Sequence, residues 1–279
     1  MMNMRIDIKM SFGAAALVAA LLGTQGVAVA ANLELGRPFA DNMVLQRDMP
    51  VRVWGWADAG ADVKVSFAGQ TVSGKAASDG YWRVELGPMV ASSVGGALVA
   101  TAAGAAAASA TNVLVGEVWF ASGQSNMEMG ITGDTIRYRD VQGRLVTQWT
   151  RQDGIRIASN AKCTSLKPLR RGGPRANWDA LGPDNANCSA LAWYYAVELH
   201  AALKVPVGIV IAAWGGSRIE PFIPVEGFAA AGLNAAAEKD PASKWNGMVC
   251  PWTPMSLRGF IWYQGCSNMR EKQRYGLRN

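Results

Sequence analysis

Between residues 33 and 112 apolar positions alternate with polar ones over short runs. Val51-Arg-Val-Trp-Gly-Trp56, Val63-Lys-Val-Ser-Phe67 and Tyr81-Trp-Arg-Val-Glu-Leu86 each show the period of two expected of a half-buried strand. Ala68-Gly69 and Asp79-Gly80 punctuate the pattern as hairpin turns do. Short strands with no helical patterning between them predict a β-sandwich over 31–112. The Ala/Gly stretch 100–109 adds only a strand and a loose turn.

After Asn112 the pattern changes. Residues 113–121 form an apolar run broken by Gly116 and Glu117, as expected of a buried parallel strand. Residues 189–203 predict a helix with Leu191, Tyr195, Leu199 and Ala202 on one face and Ser189 as its cap. Residues 205–213 and 257–263 predict a second and a third buried strand. Strands alternating with helices imply an α/β domain over 113–279 with a mainly parallel sheet. Its ligand site is expected at the carboxyl ends of those strands.

The first thirty residues read differently. Arg5 and Lys9 precede an apolar stretch, 12–22, that is too short to span a bilayer comfortably. Ala28-Val-Ala30 then supplies a small-x-small cleavage site before Ala31. The expectation is a secretory leader over 1–30 and a periplasmic or secreted protein with no later membrane span. In that oxidising compartment Cys163 and Cys188, both in loop-like sequence, are candidates for a disulfide, while Cys250 and Cys266 need not pair.

Composition narrows the function classes. With 279 residues, half of them apolar, the chain can bury a large core. The net charge of +6 is scattered, with no Lys/Arg block longer than Arg170-Arg171, so no nucleic-acid footprint is expected. One histidine and no C-x-x-C spacing leave no pattern for a zinc site, and no cofactor is expected.

Each buried strand runs into a small polar loop containing glycine: Ser122-Gly-Gln-Ser-Asn-Met127, Trp214-Gly-Gly-Ser-Arg218 and Gln264-Gly-Cys-Ser-Asn-Met269. One such loop is usually a plain turn. Three at one sheet edge would converge, and acyl transfer needs what they carry: a nucleophilic hydroxyl, and amide donors aimed at a developing oxyanion. The near-repeat leaves Ser125 and Ser267 chemically comparable.

Gly116-Glu-Val-Trp-Phe-Ala-Ser-Gly-Gln-Ser-Asn-Met-Glu128 resembles the first block of the sialate O-acetylesterase family, carbohydrate acetylesterases within the SGNH hydrolases. The resemblance continues in Asp41-Asn-Met-Val-Leu-Gln-Arg47, Ala213-Trp-Gly-Gly-Ser217, Asn246-Gly-Met248, Gly259-Phe-Ile-Trp-Tyr-Gln-Gly265 and Ser267-Asn268. It covers essentially all of 33–270. It implies an SGNH-type, flavodoxin-like domain preceded by a β-sandwich, acting on O-acetyl groups of sialic acids or other sugars. Ser125 is then the nucleophile and first oxyanion donor, Gly216 the second donor and Asn268 the third. Gln124, Asn126, Gly215 and Gln264 are expected around the substrate.

Two departures accompany the resemblance. The family's base is a histidine in a late Asp-x-x-His block, whereas His200 has Val197 three residues before it and sits on the predicted helix. Cys266 stands where the family usually has glutamate. A helix is expected to begin in 271–279, and the family continues further, so the expectation is a truncated chain with impaired turnover. The alternatives are a non-catalytic sugar-binding relative, gripping a glycan with Trp54, Trp56, Tyr81 and Trp82, or an esterase of xylan or another plant polysaccharide. Glu117 and Glu128 flank the nucleophile, but glycosidase chemistry needs two carboxyls facing across one bond. Glu128 reads instead as a support for the turn.

Overall fold

A computed structural model describes residues 32–130, 151–171, 176–182 and 188–269. The predicted leader and the helix expected in 271–279 lie outside these residues. The chain opens with seven strands: β1 (Leu33–Leu35), β2 (Val44–Gln46), β3 (Val51–Ala57), β4 (Asp62–Phe67), β5 (Gln70–Lys75), β6 (Tyr81–Leu86) and β7 (Ser92–Ala102). Ala68 and Gly69 adopt φ of 48° and 77°, the mirror-image turn that joins a tight β4–β5 hairpin. Strands β1, β3 and β6 form a three-stranded antiparallel sheet. The others join a larger mixed sheet.

That larger sheet is organised around β8 (Ala108–Gly123). Its first half pairs antiparallel with β7 and parallel with β2. Its second half lies between two parallel neighbours, β11 (Val207–Ala213) and β12 (Gly259–Tyr263). Beyond β11 come β9 (Gln152–Ser159), also parallel, and then antiparallel β10 (Trp178–Leu181). The architecture is thus α/β with a large mixed sheet and few helices: α1 (Ser125–Glu128), α2 (Ala190–Leu203), α3 (Val225–Ala230) and α4 (Cys266–Met269).

The change of pattern at Asn112 coincides with a left-handed residue, φ 51°, where the β7–β8 register is irregular. Asp41 and Asn42 hold this point. Asp41 Oδ1 accepts from the Thr111 N–H at 2.6 Å and its hydroxyl at 2.9 Å, and Asn112 Nδ2 donates to Asn42 Oδ1 at 2.7 Å. One strand further on, buried Gln46 accepts from the Val118 N–H at 2.8 Å. Buried Glu117 accepts from Arg47 at 2.6 Å and from Arg258 at 2.8 Å. Burial raises the Glu117 pKa, but hydrogen bonds and charge from Arg258 and Arg47 outweigh it, and the carboxyl titrates below its ordinary range. Glu117 is therefore a structural clamp on the middle of β8.

Alternate residues of the parallel strands face opposite layers. Val118, Phe120, Val210 and Ala212 pack with Trp178, Phe222, Met248 and Trp252. Ala121, Ile155, Ile157, Ile209 and Ile211 pack beneath α2. Ser189 caps that helix, accepting from the Ala192 N–H at 3.1 Å. Its buried face is Ala190, Ala192, Trp193 and Ala196, whereas the larger Leu191, Tyr195 and Leu199 are only partly buried and Ala202 is exposed. Leu191, Tyr195 and Leu199 still pack against the layer beneath the helix, as expected of one face, and Ala202 does not. The helix is apolar nearly all round, and alanines let its backbone approach the sheet.

Two further corrections follow from burial. Strand β12, expected to be buried, pairs among the described residues with β8 alone, and its Phe260 and Trp262 are 69% and 44% exposed. Trp54, Trp56 and Trp82 are at most 6% exposed, and Tyr81 packs edge-on against Trp56 at 5.9 Å, so these aromatics form core and present no glycan platform. The predicted Cys163–Cys188 disulfide is not formed; all four thiols are free. Cys188 lies in the layer beneath α2, where burial pushes its thiol up to about 12, while the Cys163 backbone lies against Gly247 in a separate segment.

Candidate functional site

The carboxyl ends of β8, β11 and β12 lie side by side, because Ala213 and Tyr263 both register against Gly123. A Cβ at Gly123, φ 146°, would stand 2.1 Å from the Tyr263 carbonyl oxygen, so the close approach of β8 and β12 requires glycine there. The Trp214 N–H donates to the Gly123 carbonyl at 3.0 Å, and the Gln124 N–H to the Tyr263 carbonyl at 3.1 Å. The three loops do converge.

Ser125 begins α1 directly after this junction. Gln124 and Met127 around it are buried, while Ser125 itself is exposed. Among the described residues its hydroxyl has no hydrogen-bond partner, and its N–H is one of the amides left open at a helix start.

Gly215 is packed against Ser125. A Cβ there would lie 3.6 Å from Ser125 Cβ and 2.8 Å from Glu128 Oε2. The Gly215 N–H is already committed, donating to Glu128 Oε2 at 2.5 Å. The other oxygen of Glu128 is in ion pair with Lys162. Gly216 follows at φ 71° with open space where a Cβ would be, and among the described residues its N–H has no partner. Of the glycine pair, Gly216 is thus the one with a donor to offer.

The third loop is stitched to the other two. Gln124 Oε1 accepts from the N–H groups of Gly265 at 3.4 Å and Ser267 at 3.2 Å. Asn126 Nδ2 reaches Cys266 Sγ at 4.0 Å. Gln264 Nε2 donates to the Ser217 carbonyl at 3.2 Å and also to Asn268 Oδ1. Asn268 Oδ1 accepts from the Ile219 N–H at 3.0 Å, and its Nδ2 donates to Glu220 Oε2 at 3.1 Å. Glu220, 4% exposed, therefore orients the asparagine amide. Gln124 and Gln264 spend their side chains holding loops together.

His200 is elsewhere. Its Nδ1 is 2.7 Å from the Val205 carbonyl oxygen and its ring lies over Gly154. Val205 leads into β11, whose first residue registers with Glu117 and whose last registers with Gly123. At about 3.3 Å per residue this strand separates His200 from Ser125 by roughly 20 Å.

A cleft of about 560 Å³ adjoins the glycine pair, with Trp214, Gly216, Ser217, Asp240 and Lys244 among its walls. The Lys244 ammonium stands 4.8 Å from the Trp214 ring centroid and 5.7 Å from that of Phe222. It makes no ion pair within 4.0 Å among the described residues. Burial lowers its pKa below the usual lysine value; Asp240 opposes that shift and Arg218 adds to it. Among the described residues the buried Ser217 hydroxyl also has no partner. Lys162, Glu220 and Lys244 were not readable as site residues, since they come from segments with no glycine loop or strand end to mark them.

A family description, carbohydrate esterase, sialic acid-specific acetylesterase, matches residues 115–277. Human sialate O-acetylesterase is 28% identical over 253 residues, covering 82% of this chain and 48% of the human protein. The rat enzyme is 28% identical over 290 residues, covering 82% of this chain and 51% of its own length. The crystal structure of a carbohydrate acetylesterase from Xanthomonas citri superposes with a TM-score of 0.71 at 34% identity, covering 84% of this chain and 52% of that one. The chain spans about half the length of the curated relatives it matches.

Proposed function

Because the chain belongs to the sialic acid-specific acetylesterase family of carbohydrate esterases, we propose that it acts on O-acetyl esters of sugars, with Ser125 as nucleophile. The observation that carries this reading is the packing of exposed Ser125 against the Gly215-Gly216 turn at the mouth of the cleft. Ser125 Oγ attacks the acetyl carbonyl. The oxyanion is held by the N–H groups of Ser125 and Gly216 and by Asn268 Nδ2. The sugar hydroxyl leaves with a proton, and water then hydrolyses the acetyl-serine. Trp214 offers an apolar face to the sugar ring, and Lys244, without an ion pair among the described residues, favours a sugar bearing a carboxylate, such as a sialic acid, over neutral xylan.

Serine attacks efficiently only when a base takes its proton. The sole histidine lies at the far end of β11, so the 279-residue polypeptide is proposed to turn over slowly. Further parts of the reading are a β-sandwich domain over 31–112, an α/β hydrolase domain from 113, and export directed by 1–30.

The test is chemical rescue. Hydrolysis of p-nitrophenyl acetate is measured for the wild type and Ser125→Ala across a series of imidazole concentrations. The expected result is a slow wild-type rate that imidazole raises above the background of the variant, because imidazole supplies the base. Equal rates for the two proteins at every concentration would sink the assignment.

A further inference from the structure

The single turn of α1 carries two polar side chains toward the glycine loop, Ser125 at its start and Glu128 at its end. Glu128 makes the short charged hydrogen bond to the Gly215 N–H at 2.5 Å, and that bond occupies the amide next to the one with a donor to offer. The Ser217 N–H donates to the Trp214 carbonyl at 3.3 Å and closes a turn around Gly215 and Gly216, so an acceptor on the Gly215 N–H orients that turn and with it the Gly216 N–H. Gly216, at φ 71°, has open space where a Cβ would be, and among the described residues Glu128 is the side chain that holds this turn from the α1 side. A bare carboxylate in this position would repel a developing oxyanion. Lys162 removes that penalty by pairing with the other oxygen of Glu128 and lying 5.7 Å from the Trp214 ring centroid.

We propose that Glu128 is a positioning residue: through the Gly215 amide it aims the Gly216 N–H at the acyl carbon's oxygen, with Lys162 neutralising its charge. The proposal rests on the reading of Ser125 as nucleophile. Nucleophile and oxyanion donor are then set by the same helical turn, so their separation is held by three peptide units instead of by loop packing. Glutamine at 128 can still accept from the Gly215 N–H but loses the pair with Lys162; alanine loses both.

The experiment compares wild type, Glu128→Gln, Glu128→Ala and Ser125→Ala in imidazole-assisted hydrolysis of p-nitrophenyl acetate. Thermal midpoints and the amide proton shift of Gly215 in ¹⁵N-labelled protein are measured alongside. Removing one oxyanion donor outright typically costs about 100- to 1000-fold in kcat. Misaiming one is expected to cost about tenfold in Glu128→Ala and little in Glu128→Gln, which keeps the acceptor, with KM within about twofold and the thermal midpoint little changed. The Gly215 proton should move upfield in Glu128→Ala as its charged acceptor is lost. A Gly215 signal that does not move, or kcat unchanged in both Glu128 variants, overturns this proposal alone. A rate unaltered by Ser125→Ala overturns the nucleophile and this proposal with it.

Discussion

Lys244 shows how little of a recognition surface a motif contains. Its ammonium is half-buried beside Trp214 and Phe222 with no ion-pair partner among the described residues, a costly state that an anionic ligand would relieve. Lys244→Met should preserve the packing of the stem while removing the charge. Binding of N-acetylneuraminic acid, measured by calorimetry, is expected to weaken about tenfold, the scale of one charged hydrogen bond. Binding of its methyl ester should hardly change. Equal losses for acid and ester would remove the lysine from carboxylate recognition. Backbone geometry made the three glycine loops legible in the sequence; which of their residues to single out, Ser125, Gly216 and Asn268, came from the family resemblance. Glu128 was legible only as a support, because its partners Gly215 and Lys162 are brought to it by the sheet.

At the scale of elements, β8 organises both halves of the molecule, and Glu117 is the clamp at its centre. The folded-state pKa of Glu117 lies below its ordinary value near 4.5. The carboxylate therefore contributes stability that is fully present above that value and is lost as pH falls through the lower folded pKa. In urea unfolding followed from pH 7 down to 3, the wild-type midpoint should fall below pH 4.5, and Glu117→Gln should flatten that limb. At pH 7 the variant is expected to be less stable by roughly 2 kcal/mol. That is under the ~3–5 kcal/mol of a broken, fully buried pair, because Arg47 and Arg258 are partly exposed. Parallel acid limbs in the two proteins would show that Glu117 is not the group responsible. The periodicity predicted β3, β4, β6, β8, β11 and α2 because these elements bury one face or both. On α2 it found Leu191, Tyr195 and Leu199, which pack on the layer in part, and missed Ala190, Ala192, Trp193 and Ala196, which are fully buried. It also took β12 for an interior strand, since an apolar run reads the same whether or not a neighbour covers it.

For the molecule as a whole, three strand ends 50 to 140 residues apart in sequence are gathered at one edge of a sheet, and a cleft opens beside them. The convergence was foreseeable from Ser122–Met127-like loops recurring after apolar runs, but the cleft was not, because Thr164, Asp240 and Lys244 carry no sequence mark. The family gives the chemistry its class; the atoms proposed for it are supported by Ser125 being exposed, the Gly216 amide open among the described residues and Asn268 oriented by Glu220. Everything proposed for the reaction depends on which hydroxyl takes the acetyl group. The direct measurement is to incubate the protein with p-nitrophenyl acetate, quench in acid and locate the transferred acetyl by peptide mass spectrometry. One acetyl-serine is expected, at Ser125, and none in Ser125→Ala. An acetyl group on Ser267, or continued hydrolysis with Ser125 unlabelled and replaceable by alanine, would contradict it.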